Sequence, residues 1–267
     1  MKNFIVRNYF WLNFILLFII AISAFILLLF AGIRPSNATT ITILVGFIYL
    51  WITSTFRKMH MRKVTDLLFD KCDPKRFLTE TDLLLKGEKN RLTKLNFLNW
   101  KIAGLIADYS FDEAEEIQKS TETLFDEQAF SKRIPVSLKI TFAVNFVNLA
   151  LQTNEISEAE KWLKTASDLT KSAYLSKYER VRLTKSMNLA ECAYKLKLNK
   201  TDGCEDMLKG VIDFETRKSN KVYAHFLLGK LFLLQSRKED AEKEFDFVIE
   251  NGNRMAVVGD AQDFIAT

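Results

Sequence analysis

Between Tyr9 and Ile33 the chain carries no charged side chain, and Asn13 and Ser23 are the only polar interruptions in those 25 residues. At about 1.5 Å of rise per helical residue the run reaches roughly 37 Å, enough to cross a hydrocarbon layer of about 30 Å. A second uncharged stretch, Ala38 to Phe56, is shorter and richer in Thr, and spans with modest bilayer adjustment. Between them "IRPSNA" reads as a tight turn around Pro35, so the pair is expected to form a transmembrane helical hairpin with spans near 9–33 and 38–56. A cleavable signal peptide would also start with Lys2 and Arg7 and offer small residues near Ser23. Its apolar core is shorter than this one, and a second span does not follow it directly.

The charges orient the hairpin. Residues 1–63 hold seven cations (Lys2, Arg7, Arg34, Arg57, Lys58, Arg62 and Lys63) and no acid, which leaves 31 cations against 33 acids in the remainder. The formal net charge of +5 therefore belongs to the membrane end, and a nucleic-acid partner loses its main support. Two cations precede the first span, one lies in the turn, and four follow the second span in "RKMHMRK". The positive-inside rule then predicts a multi-pass protein of the cell membrane with both termini cytoplasmic. Trp11 near one cytoplasmic boundary, and Tyr49 and Trp51 near the other, suit interfacial positions. Arg57, Lys58, Arg62 and Lys63 are the candidate contacts to lipid headgroups, worth about 1 kcal/mol per cation near an anionic surface. The Asn37-Ala38-Thr39 sequon lies too near the bilayer to matter. Cys72, Cys192 and Cys204 are unclustered and on the reducing side, so they read as small core residues.

From residue 57 onward apolar stripes at helical spacing alternate with short polar breaks, and 9 Gly and 3 Pro are few enough to suit long helices with brief turns. At Asp73-Pro74 the carboxylate is placed to cap a new helix whose first position Pro74 takes. The stretch 57–71 continues the second span as a rigid stalk, and no Ser/Gly-rich tether intervenes. Further helices are expected near 91–107, 111–124, 135–152, 156–172, 176–197, 201–215, 219–235 and 238–250. The expected fold class is all-α, in four parts: a hairpin over 1–56, a juxtamembrane helix pair over 57–90, a helical repeat domain over 91–250, and a tail or capping helix over 251–267.

The pairs repeat. "SEAEKWLKTA" and "EDAEKEFDFV" put Ala159, Leu163 and Ala166 in register with Ala241, Phe245 and Val248. Cys204, Leu208 and Val211 form a third copy, and "FDEAEEI" around Ala114 a degenerate fourth. These segments resemble the tetratricopeptide repeat (TPR), a helix-turn-helix unit of about 34 residues. Leu228, Gly229, Phe232, Ala241 and Phe245 match its pattern of large and small positions well. Around Ala159 the small residue of the first helix is replaced by Val147. Around Cys204 the first helix, with Leu189, Ala190 and Ala193, fits only after a two-residue insertion. The resemblance covers about 91–250 and implies a TPR-like α-solenoid of antiparallel helix pairs with a concave groove that serves as a scaffold for a protein or peptide partner.

By the same resemblance, groove-lining positions are Thr141, Val144, Asn145 and Asn148 in one repeat. In the next they fall near Thr184, Met187, Asn188 and Glu191, and in the last at Tyr223, Phe226, Leu227 and Lys230. Asn side chains hold a peptide backbone through paired donor and acceptor bonds, which makes Asn145, Asn148 and Asn188, with Tyr223 and Lys230, the candidate partner contacts. The cations of a chaperone-binding carboxylate clamp are not reproduced. His60 and His225 are the only histidines, and no phosphate-binding glycine motif or nucleophile elbow occurs, so neither catalysis, a metal nor a cofactor is expected. The expected role is a membrane-anchored cytoplasmic scaffold. The alternatives are a peptide-sensing regulator that signals through the hairpin, or an accessory subunit of a membrane transporter or protease, for which Asn13 and Ser23 are the sequence support.

Overall fold

The protein, represented by a computed structural model, is described over residues 9–126 and 131–266, with side chains from Ile15 to Phe125 and from Ser131 to Ala266. Lys2 and Arg7 lie outside the described residues, and Trp11 and Asn13 outside the described side chains. The first two helices are α1, Tyr9–Phe30, and α2, Pro35–Phe69. Gly32 ends the first of them at φ 75, a left-handed conformation that glycine adopts without a Cβ penalty. Pro35 then opens α2 at its first helical position. The four-residue connection turns α2 back along α1, and the two pack together with Ala38 fully buried. Among the described residues α2 is the one helix long and apolar enough to cross a membrane.

α2 passes Phe56 without a break, so the second uncharged stretch and the stalk are one rod of 35 residues, roughly 52 Å long. Its far end buries Val64, Leu67 and Leu68 against Phe77 of α3, Pro74–Gly87. The Asp73 carboxylate caps α3 by accepting a hydrogen bond from the Arg76 N–H at 3.2 Å. α4, Arg91–Ala107, is capped by Asn90, whose side chain accepts from the Leu92 and Thr93 N–H groups at 3.0 Å each.

Seven more helices follow: α5 Phe111–Asp126, α6 Val136–Gln152, α7 Ile156–Ser172, α8 Lys177–Lys197, α9 Cys204–Phe214, α10 Lys218–Leu234 and α11 Lys238–Asn251. A last helix, α12, spans Val257–Ala266, so the segment left as tail or cap is helical. No strand occurs among the described residues, and the chain is all-α.

One turn recurs through the array. Tyr109, Asn154, Asn199 and Ser236, all at φ between 55 and 64, end α4, α6, α8 and α10. In each case the next N–H bonds back to a carbonyl five residues earlier: Ser110 to Leu105, Glu155 to Ala150, Lys200 to Lys195 and Arg237 to Phe232, at 2.7–2.9 Å. This left-handed cap satisfies the orphan carbonyls of the last helical turn. Five residues past each left-handed residue sit Ala114, Ala159, Cys204 and Ala241, and all four are at most 1% exposed. A small side chain there lets the second helix lie close on the first. The turns are 45, 45 and 37 residues apart (109 to 154, 154 to 199, 199 to 236), so four helix pairs are stacked by one device with unequal helix and loop lengths.

First helices adjoin first helices in the order α4, α6, α8, α10. An open superhelix would leave their inner side free, but here the ends of the array meet. α10 packs against the far end of α2, and the α11–α12 connection is tied to the turns after α2 and α4. The Arg254 N–H donates to the Cys72 carbonyl at 3.1 Å, the Asn253 amide to the Lys71 carbonyl at 2.7 Å, and the Ala256 N–H to the Ala107 carbonyl at 3.0 Å. α12 lies on α11, with Phe264 stacked on Phe245 at 5.2 Å. The chain thus crosses part of its own inner face, through contacts between residues 149 to 182 positions apart.

Candidate functional site

Closure leaves a cavity of about 130 Å³ where the ends of the array meet. The last turn of α2 contributes Leu68 and Phe69, and α4 contributes Ala103 and Ala107. α6 presents Asn145, Asn148 and Gln152, which recur at helical spacing on one face. α10 presents Asn220 and Tyr223, while Met255 and Val257 of the closing segment complete the wall with Tyr109. Among the described residues no charged side chain lines it.

Three of the five residues expected to contact a partner converge here, with different chemistry. Asn145 is already engaged: its amide donates to the Asn99 carbonyl at 3.1 Å and to Asn99 Oδ1 at 3.0 Å. Asn99, only 8% exposed, in turn donates to Thr141 Oγ1 at 3.2 Å. This polar network pins α6 to α4, so Asn145 holds the fold as well as lining the cavity. Asn148 is the open member, since its Oδ1 is buried without a hydrogen-bond partner among the described residues. A buried acceptor left unpaired costs about 1–3 kcal/mol. Tyr223 is half-buried, and loss of solvent pushes its phenol up to about 12.

The other two candidates stand apart from the wall. Asn188 is half-buried on α8. Lys230 carries its ammonium 5.5 Å from the Phe226 ring centroid, and burial, with Lys197 nearby, lowers its pKa. The local pattern that put them on the inner face holds along each helix, but closure against α2 brings only the early turns of α10 into the cavity.

Sequence reasoning missed Tyr109, Gln152 and Asn220. The Tyr109 hydroxyl donates to the Asp260 carboxylate at 2.5 Å, and burial first, then Asp260, push its pKa far above the usual tyrosine range. The left-handed conformation of Tyr109, φ 59, is uncommon for a residue with a large side chain and is visible only in the folded chain.

Of the headgroup candidates, Lys58, Arg62 and Lys63 are exposed on α2. Arg57 is also exposed, and its guanidinium lies 2.6 Å from Glu88. His225 Nδ1 lies 2.5 Å from Glu244 and its ring stacks on Phe247 at 3.7 Å. The three cysteines are fully buried, and desolvation pushes Cys72 up to about 11 and raises Cys192 and Cys204 as well, the opposite of an activated thiol. Among the described residues no three His, Cys, Asp or Glu side chains cluster to hold a metal. No family model matches the chain, and neither a curated protein nor a solved structure matches it.

The raised phenol of Tyr223 gives a pH prediction. An unfolded tyrosine loses its proton near pH 10, whereas the folded group holds it to about 12. Across that window the unfolded state binds fewer protons, so stability falls as pH rises. Urea midpoints measured between pH 9 and about 12 should decline, and Tyr223→Phe should remove part of that slope. An unchanged slope in the variant would show that Tyr223 ionises freely.

Proposed function

We propose that this is a membrane-anchored, TPR-like partner-binding protein whose helical array takes one neutral side chain of a protein or peptide into its inner cavity. The hairpin of α1 and α2 crosses the bilayer, both termini are cytoplasmic, and the array stands at the inner face. Exposed apolar side chains support the anchor: Phe18, Phe47, Trp51 and Phe56 are each more than 60% exposed, a surface suited to lipid and not to water.

The observation that carries the binding reading is the Asn148 side-chain oxygen, buried and, among the described residues, without a partner in the wall of a cavity that no described charged side chain lines. A cavity near 150 Å³ holds a benzene-sized group, so one aromatic or branched side chain fits while an extended peptide does not. A charged group would be stripped of water with no counter-ion. Leu68 and Phe69 belong to the same helix as the membrane segment, so occupancy acts directly on the anchor. This favours the sensing alternative over passive recruitment through an open groove. The accessory-subunit alternative retains Ser23, which faces outward on α1.

Calorimetric titration of the detergent-solubilised full chain with short peptides differing in one residue is the test. A neutral aromatic residue should bind at least about tenfold more tightly than lysine or glutamate, and Asn148→Leu should abolish binding. If no short peptide binds at all, the sensing reading fails and a recruiting role on the outer surface takes its place.

A further inference from the structure

We infer that Arg182 and Arg217, where the start of α10 meets α8 and the end of α2, form a binding site for a phosphate group, with Lys218 beside them. Neither arginine lines the cavity, so the site stands whether or not the cavity takes a peptide side chain.

Arg217 immediately precedes α10 and is half-buried. Its guanidinium lies 4.3 Å from the ring centroid of Phe69, in the last turn of α2. An arginine held this far from water ordinarily gives its fork of N–H donors to a carboxylate or to backbone carbonyls. Arg180 shows that outcome: its two terminal nitrogens donate to the Thr170 and Ala173 carbonyls at 3.0 and 3.1 Å. Among the described residues the Arg217 guanidinium donates to no oxygen, and neither does that of Arg182, half-buried on α8. α8 packs along α10, and Arg182 is the like charge that acts on Arg217. Lys218, half-buried and outside any ion pair among the described residues, carries positive charge toward the turn after α2, where it acts on the Cys72 thiol.

The acids that act on these arginines are engaged by other donors or stand farther off. Glu215 accepts from the Thr216 and Arg217 N–H groups at 3.0 Å each and from the Asn220 amide at 2.7 Å. Glu179 closes the capping box of α8, accepting from the Ser176 N–H and hydroxyl at 3.2 and 2.7 Å. Asp70 is exposed and is the weakest of the groups acting on Arg217. Burial lowers the Arg217 pKa, and Arg182 adds to that; Glu215, Tyr178 and Asp70 oppose it without cancelling it. A charge taken from water without a hydrogen-bonded partner costs free energy, which a bound anion recovers. Phosphate suits the pair better than a carboxylate. A phosphate ester carries about −1.5 to −2 charge near neutral pH, and its oxygens accept the guanidinium fork bidentately. A lone carboxylate would leave one arginine uncompensated.

The experiment titrates the detergent-solubilised full chain with inorganic phosphate or O-phosphoserine at constant ionic strength, with chloride as the reference anion. Phosphorus NMR line broadening follows binding, and urea midpoints follow stability. Phosphate should bind wild type and raise its midpoint. Arg182→Gln should bind at least about tenfold more weakly. Arg217→Lys, which keeps the charge and loses the fork, should bind at least about threefold more weakly. In chloride the Arg182→Gln midpoint should equal or exceed that of wild type, because a like charge beside Arg217 is gone. A midpoint below wild type would mark Arg182 as a structural arginine and overturn the site. Tighter binding of O-phosphoserine than of phosphate supports the site and assigns it to a phosphate ester; tighter binding of phosphate supports it as a site for the free ion. Equal effects of phosphate and chloride on wild type, or undiminished binding by Arg182→Gln, overturn the proposal.

Discussion

Gly229→Leu should be among the most destabilising single substitutions in the array. A Cβ at Gly229 would stand 2.6 Å from Phe245 Cε1 and 2.9 Å from Cδ1 and Cζ, closer than real Cβ atoms approach a ring. Phe245 is not free to move, since it is 1% exposed and held by Phe226 at 6.1 Å and Phe264 at 5.2 Å. α10 and α11 must separate or α12 must lift. Overpacking of this kind costs about 1–3 kcal/mol, and the leucine branches beyond Cβ place this variant at or above the upper end. Two companions make the explanation specific. Gly259→Ala adds a Cβ that meets nothing within 4 Å in α12, and should stabilise by about 0.5–1 kcal/mol through helix propensity. Phe245→Leu in the Gly229→Leu background should restore part of the loss, because it removes the ring that the new side chain strikes. Urea midpoints decide the matter; a Gly229→Leu midpoint equal to wild type would mean that α10 and α11 are not packed as described.

The same site shows how much of the fold was legible. Gly229 and Phe245 were placed at a small and a large position by the resemblance to the TPR pattern, and helix spacing fixes which side chains share a face. Ala114, Ala159, Cys204 and Ala241 were aligned for the same reason, and all four are buried at one offset from the recurring turn. The sequence copies look weak because the turns are unequally spaced, so the small residues recur without a constant period. Asp73 and Pro74 were legible as a cap because capping is decided within a few residues.

What escaped is everything decided across the array. Arg57 meets Glu88, Asn145 meets Asn99, Tyr109 meets Asp260 and Arg254 meets Cys72, and in each case neither partner carries a local sign of the other. Their meeting depends on the small rotation between successive helix pairs, summed until the ends touch. An open groove and a closed array therefore share one local pattern. Asn148 and Asn145 look alike in the chain and differ only because Asn99 satisfies the second. The candidate cavity was half legible for this reason: its α6 and α10 walls follow from helix faces, and its α2 and Met255–Val257 walls do not.

Removal of residues 252–267 should open the array. The segment buries Met255, Val257 and Ala261 to 7%, 3% and 0% exposure, and Phe264 covers Phe245. Burial of a large apolar side chain contributes about 1.5–3 kcal/mol, so Met255 and Val257 alone account for about 3–6 kcal/mol as an upper estimate. That approaches the whole stability of an ordinary domain, about 5–15 kcal/mol. The lost hydrogen bonds add less, because the Cys72 and Ala107 carbonyls regain water. A milder version is Tyr109→Phe, which deletes only the bond to Asp260. A hydrogen bond to a charged group contributes about 1.5–3 kcal/mol, and the carboxylate left behind is partly buried. Hydrogen exchange should separate local opening from global unfolding. In Tyr109→Phe, amides near Cys72 and Ala107 and in α12 should exchange faster while α6 and α7 stay protected, since sub-global units open with their own free energies. In the truncated chain the urea midpoint should fall and the inner face of α10 around Tyr223 should become exchange-competent. If opening also lets longer peptides bind, closure by the α11–α12 segment competes with the partner for one surface. If both variants keep wild-type protection at Cys72 and Ala107, the ends of the array are held by something other than this segment, and the cavity loses the wall that defines it.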